Sequence, residues 1–131
     1  MKHTIILAST GLVMGLLSSL VGLPRMVELS LWSALYLLWI VYGVRVKIDM
    51  PVRRMGFAST LGGLIVGSTQ VLLMEQYQAN NPWYSEIFET STAKELSTSF
   101  LGQAIGQGIL FGLIVGLIVR WRQKLEVDRG R

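Results

Sequence analysis

Four long stretches of the chain are apolar and contain no Asp, Glu, Lys, Arg or His. They cover Thr4 to Leu23, Leu29 to Val44, Gly56 to Met74 and Phe100 to Val119. A helix needs about 20 apolar residues to cross the roughly 30 Å of hydrocarbon in a bilayer. The second stretch is shorter, but Trp and Tyr accompany it, and these side chains favour the membrane interface. The pattern predicts an all-α integral membrane four-helix bundle, with residues 1–131 forming a single transmembrane domain.

Composition supports this fold class. Of the 131 residues, 51% are hydrophobic and 15% are charged, and the mean hydropathy is +0.50. An ordinary soluble domain carries about a quarter of its residues as charged side chains, so that class is excluded. The chain has no cysteine, which excludes disulfides and thiolate metal sites. The first apolar stretch is long for a secretory signal and no Ala-x-Ala pattern follows it, so we expect it to be retained.

The distribution of Lys and Arg predicts the orientation of the helices. Ten of the 12 basic residues precede the first stretch, separate the second from the third, or follow the fourth. Short loops rich in Lys and Arg stay in the cytoplasm, so both termini are predicted to be cytoplasmic, in a multi-pass protein of the inner (plasma) membrane. Residues 120–131 would form a basic cytoplasmic tail near anionic lipid headgroups. No nucleic-acid-binding motif accompanies the basic residues, so no nucleic acid partner is expected.

The outer loop, residues 76–99, carries helix signals of its own. Asn81-Pro82 is typical of an N-cap followed by proline, and the aromatic and apolar residues from Trp83 to Phe88 predict a short interfacial helix. Thr92 and Glu95 have the spacing of a capping box, which predicts that the fourth helix begins near Thr92.

Small residues recur at helical spacing and predict faces for close helix packing. The candidate packing residues are Gly11, Gly15, Ser59, Gly63, Gly67, Gly108, Gly112 and Gly116. Because lipid tails provide no hydrophobic drive for helix association, such faces let two backbones approach closely.

An aromatic stripe runs along the second stretch and includes Trp32, Tyr36 and Trp39. Three interpretations of these rings stay open: they fill space beside glycine faces, they form a flat surface for a quinone, pigment or lipid, or they face lipid or a partner.

Polar residues inside the spans are the default place to look for function in a membrane protein. Gln70, Gln103 and Gln107 all fall in the outer leaflet, and Glu28 and Glu75 lie at the outer mouth. We expect the three amides to approach one another. They would either line a polar vestibule for a solute or hold the bundle together by hydrogen bonds.

Catalytic signals are lacking in the sequence. His3 is the only histidine, and no nucleophile elbow, phosphate-binding loop or metal-ligand pattern occurs. We therefore expect no catalytic residues, no metal, no cofactor and no enzyme activity.

Two families of similar length do not fit the sequence. The first stretch lacks the glutamate of small multidrug-resistance transporters, and no span contains the asparagine of fluoride channels. The order of other features resembles a bacterial family of four-helix membrane proteins of unknown function. These features are Gly11-x-x-x-Gly15, Tyr42-Gly43, a basic loop before Gly56-Phe57, Asn80-Asn81-Pro82, and the run from Gly112 to Val119 before a basic tail. The resemblance implies a four-helix membrane fold and no established activity.

The sequence thus predicts a non-enzymatic packing or accessory subunit of a homo-oligomer or of a larger membrane complex, in contact with the lipid bilayer. The alternative is a small channel or transporter with an outward-facing polar vestibule. A third hypothesis is a lipid- or quinone-binding membrane protein.

Overall fold

Helices make up nearly all of the computed structural model, which describes residues 2–129, and no strand occurs within that range. The six α-helices are α1 (Lys2–Leu16), α2 (Arg25–Arg45), α3 (Pro51–Leu72), α4 (Met74–Asn80), α5 (Ser85–Thr90) and α6 (Ala93–Arg129). A π-helical turn, Leu17–Val21, extends α1, and a 3₁₀ turn, Pro82–Tyr84, precedes α5. Four segments are long and apolar enough to cross a membrane: Lys2–Val21, Arg25–Arg45, Pro51–Leu72 and Ala93–Asp128.

Local signals set the helix ends, and α2, α3 and α6 each begin before the apolar stretch that predicted them. α3 begins at Pro51, ahead of Gly56, because a proline suits the first helical position and the charged side chain of Arg53 is exposed. Leu73 leaves the helical conformation and separates α3 from α4. α6 runs to Arg129, so the described part of the predicted tail is helical, whereas residues 130 and 131 lie outside the described residues.

The predicted capping box at the start of α6 is confirmed. The Thr92 backbone N–H and hydroxyl both donate to Glu95 Oε2, at 2.8 and 2.7 Å. The Glu95 backbone N–H donates in return to Thr92 Oγ1 at 3.3 Å. These bonds satisfy N–H groups that the first helical turn leaves without partners.

α3 is the central helix and packs between α1 and α6. α1 runs parallel to it, since Gly11 lies against Gly62 and Gly15 lies against Thr69. α6 runs antiparallel to α3, with its glycines against the α3 backbone. The central position of α3 follows from its small side chains, which let a neighbour approach on two sides.

α2 lies at the edge of the bundle, and only Trp39 and Gly43 of this helix are buried. Large rings attach it to the other helices. The Tyr36 ring stacks on Phe111 of α6 with centroids 5.2 Å apart, and Trp39 belongs to the core that contains Met55 of α3.

Polar contacts fix the end of the bundle where α3 begins. His3 Nδ1 is hydrogen-bonded to the Tyr42 hydroxyl at 2.6 Å, joining α1 to α2. Gln123 Nε2 of α6 donates to the carbonyl oxygens of Gly43 and Ile48, each at 3.2 Å. α6 is therefore joined both to the last turn of α2 and to the loop that follows it.

Candidate functional site

All eight candidate packing residues are buried. A Cβ atom added at Gly63 would overlap the Ala104 carbonyl oxygen, and one added at Gly108 would lie 2.6 Å from the Ser59 carbonyl oxygen. A Cβ at Gly116 would lie 2.5 Å from the Cα of Val52. The small faces of α1 and α6 therefore both pack against α3 within one chain.

The aromatic stripe of α2 faces the bundle. Trp39 is 3% exposed, and Trp32 packs beside a second core cluster formed by Met14, Leu23 and Val66. The Tyr36 hydroxyl lies 3.4 Å from Ser59 Oγ. This geometry agrees with rings that fill space between helices, because the flat faces are occupied by neighbouring side chains.

Gln70 is buried and is engaged with another helix. Its Nε2 donates to Ser18 Oγ of the π-helical turn at 3.1 Å, and Ser18 Oγ donates to the Gly15 carbonyl at 3.2 Å. The amide thus binds α3 to the end of α1 and lies between helices.

The expectation that the three Gln amides converge is wrong for this structure. Gln103 and Gln107 are exposed on α6, whereas Gln70 is buried against Ser18. α6 turns Ala104 and Gly108 toward α3, and the residue before each points about 100° away around the helix axis. Glu75 is exposed and Glu28 is half-buried, and their place at a polar vestibule stays a prediction.

A pair of asparagines forms a polar cluster that the sequence analysis did not assign to the interior. Asn81 is 1% exposed, and its Nδ2 donates to the carbonyl oxygens of Ser18 at 2.9 Å and Tyr77 at 2.7 Å. Asn80 Nδ2 donates to the carbonyls of Ser19 at 2.9 Å and Leu20 at 3.1 Å. These amides pair carbonyl groups that the end of a helix leaves free.

Asn81 is the N-cap residue of the 3₁₀ turn and Pro82 begins that turn, as the sequence pattern predicted. The Asn81 side chain makes no capping bond there, because it points back to the π-helical turn. Gly22 allows this approach. Its φ is 74°, and a Cβ there would overlap the Asn80 carbonyl oxygen. The signal available in the sequence was the Asn80-Asn81 pair at the end of the short polar segment that follows the third apolar stretch.

The outer loop covers this cluster with aromatic rings. Tyr77 packs edge-on against Phe88 and Phe100, with centroids 6.0 and 5.2 Å away. Burial raises the pKa of the Tyr77 phenol, and the nearby Glu28 carboxylate acts in the same direction, so the phenol stays neutral at pH 7. Trp83 and Ile87 point outward and are 47% and 52% exposed.

The exposed face of α6 carries the polar groups that the bundle does not use. Gln103 and Gln107 lie one turn apart, beside Gly102 and Gly106. A Cβ at either of these two glycines would have open space around it, in contrast to Gly108. Two amides and two small residues thus form one outward patch, which we call the α6 patch.

No metal-binding cluster is evident in the described residues. Within residues 2–129, no group of three or more His, Cys, Asp or Glu side chains is placed to hold a metal ion. No family model, curated protein or solved structure matches the chain. The resemblance to a bacterial four-helix family stays a prediction.

Proposed function

We propose that this protein is a non-enzymatic, multi-pass subunit of the inner (plasma) membrane that associates through the α6 patch, in the first instance with a second copy of itself. The observation that carries this proposal is the exposure of Gln103 and Gln107 within an apolar helix. An amide facing hydrocarbon has no water to bond with, so a partner helix that supplies donors and acceptors stabilises it.

The chemistry of the α6 patch favours a copy of the same helix. A Gln side chain carries both a donor and an acceptor, so two identical helices satisfy each other across a two-fold axis. Gly102 and Gly106 have open space, and small residues let a second backbone come close enough for such bonds. Association with a different subunit would use the same patch and is the other form of this proposal.

The charge distribution supports an orientation with both termini in the cytoplasm. Gly116 packs against Val52, which brings the basic start of α3 and the basic last part of α6 to the same end of the bundle. Positively charged short segments are retained on the cytoplasmic side. The outer loop then lies on the opposite side, where exposed Trp83 and Ile87 suit the headgroup layer and make α5 an interfacial helix.

Cysteine cross-linking in native membranes tests the proposed association. The natural chain has no cysteine, so Gly106→Cys creates a single thiol on the α6 patch. Val13→Cys is a matched control, because Val13 is 57% exposed on α1. It also lies at a similar level, since Gly11 contacts Gly62 and Gly63 contacts Ala104.

With a mild oxidant, Gly106→Cys should form a disulfide-linked dimer. A disulfide needs Cβ atoms about 4 Å apart, and the proposed contact brings the two copies of residue 106 together. Val13→Cys should stay monomeric. Adding Gln103→Leu and Gln107→Leu to the Gly106→Cys variant should reduce the dimer. A cross-link to another protein would assign the patch to a different subunit. If Gly106→Cys and Val13→Cys formed disulfide-linked dimers to the same extent, and neither was cross-linked to another protein, the proposal would be overturned.

A further inference from the structure

A groove of about 580 Å³ lies between α3 and α6 at the end of the bundle where α3 begins. Its walls include Arg53, Gly56, Ile109, Leu113 and Arg120. Arginines stand at one end of these walls and apolar or small residues at the other, so the groove is amphipathic along its length.

The two arginines of the groove lack acidic partners. Within residues 2–129, the single ion pair joins Arg54 to Asp49 at 2.7 Å, where Arg54 donates and holds the pKa of the Asp49 carboxyl below its usual value. Arg53 and Arg120 are both exposed, and their side chains make no hydrogen bond or ion pair in that range. They leave an uncompensated positive charge beside an apolar surface.

Two further features bear on what the groove can hold: the first adds positive charge at its basic end, and the second leaves space at its apolar end. The start of α3 has no side-chain cap, so the positive end of its dipole adds to the charge of the guanidinium groups. Gly56 leaves the apolar part of the groove open, because a Cβ there would meet only Leu113 Cδ2, at 3.8 Å.

We propose that this groove binds one anionic phospholipid, with its phosphate between Arg53 and Arg120 and an acyl chain along Gly56, Ile109 and Leu113. Guanidinium groups suit phosphate oxygens because their N–H groups form paired, charge-assisted hydrogen bonds. Basic grooves between membrane helices on the cytoplasmic side take anionic headgroups in this way. Free phosphate would use the arginines and leave the apolar wall uncovered, and a choline headgroup would bring a positive charge toward them.

Native mass spectrometry of the detergent-solubilised protein tests this proposal and does not depend on association through α6. The probes are phosphatidylglycerol and phosphatidylcholine with the same acyl chains, and the quantity measured is the affinity for the first bound lipid. Wild type should prefer phosphatidylglycerol. Arg53→Gln with Arg120→Gln should weaken its binding by about thirtyfold, the effect expected when two surface cations are removed.

A matched control removes the same charge outside the groove. Arg122 and Lys124 are exposed on α6 and do not line it, so Arg122→Gln with Lys124→Gln should change the affinity for the first phosphatidylglycerol by less than about threefold. Gly56→Leu fills the groove without altering charge and should also weaken phosphatidylglycerol binding.

Three outcomes would overturn the proposal. The first is a loss of affinity in the Arg122→Gln, Lys124→Gln variant as large as that in the Arg53→Gln, Arg120→Gln variant, which would place the lipid on the end of α6. The second is unchanged binding in both Gly56→Leu and the double Arg variant. The third is displacement of the lipid by inorganic phosphate at a concentration where chloride has no effect, which would identify a site for phosphate alone.

Discussion

Gln70 donates a hydrogen bond to Ser18 across 52 residues of sequence, from the middle helix of the bundle to the π-helical turn that ends the first span. The Ser18 carbonyl accepts a second bond from Asn81, which follows α4. One small residue thus joins three segments at the end of the bundle opposite the start of α3. The π-helical turn has a structural explanation here, because its geometry presents both the hydroxyl and the carbonyl of Ser18 to these amides.

Gln70→Leu should destabilise the isolated protomer. Loss of the amide removes the bond to Ser18 Oγ, and interhelical hydrogen bonds in membranes contribute about 0.6 to 2 kcal/mol. The free energy of unfolding, measured by denaturant titration in mild detergent, should fall by that amount. Gln103→Leu is the control and should leave it unchanged, because Gln103 is exposed. Equal losses in both variants would contradict the assignment of Gln70 to the interior.

Asn81→Asp should be more damaging than Gln70→Leu. Asn81 is 1% exposed, and its amide donates to two carbonyl groups. A carboxylate at this position would face both carbonyl oxygens without a hydrogen-bond donor. We expect a loss of about 2 to 4 kcal/mol, since a buried charge without partners is costly. Gln76→Glu makes the same chemical change at an exposed position of α4 and should be nearly silent in the same titration.

The hydrophobic pattern was sufficient to predict four apolar helices, because a span must be apolar along its whole length. The capping box at Thr92 was also predictable, since its bonds join residues three positions apart. Local chemistry of this kind can be read directly from a sequence.

The rotation of α6 could not be predicted in the same way. Gln103 and Gln107 share one face in any helix, but whether that face meets α3 depends on how Ala104 and Gly108 fit against the α3 backbone. Such a fit is a property of two helices together. For the same reason the contacts of Asn81 with Ser18 were missed, because they close a loop of more than sixty residues.

The predicted orientation gives a labelling test in intact cells. Glu89 is exposed in the outer loop and Lys124 is exposed on α6 at the other end of the bundle. A cysteine at position 89 should react with a membrane-impermeant thiol reagent, whereas one at position 124 should react only after the cells are opened, because basic segments stay inside. The reverse pattern would refute the proposed orientation, and the cysteine-free wild type reports background labelling.

Substitutions at two glycines of α6 distinguish packing within the protomer from association between protomers. A Cβ at Gly112 would lie 2.8 Å from both the Cα of Gly56 and the carbonyl oxygen of Met55, and these backbone atoms cannot rotate away. A Cβ at Gly106 would meet nothing within 4 Å. The same substitution at the two positions therefore tests two different contacts.

Gly112→Leu should lower the free energy of unfolding of the protomer by at least about 1 to 3 kcal/mol, the usual cost of overpacking, and should do so at any protein concentration. Gly106→Leu should leave protomer unfolding unchanged and weaken association, because a bulky side chain keeps a second helix from approaching Gln103 and Gln107. Denaturant titration and sedimentation in density-matched detergent measure the two effects. Leu113→Ile, next to Gly112 but exposed, should alter neither. If Gly112→Leu instead changed only the oligomeric state, the close contact between α3 and α6 would have to form between copies.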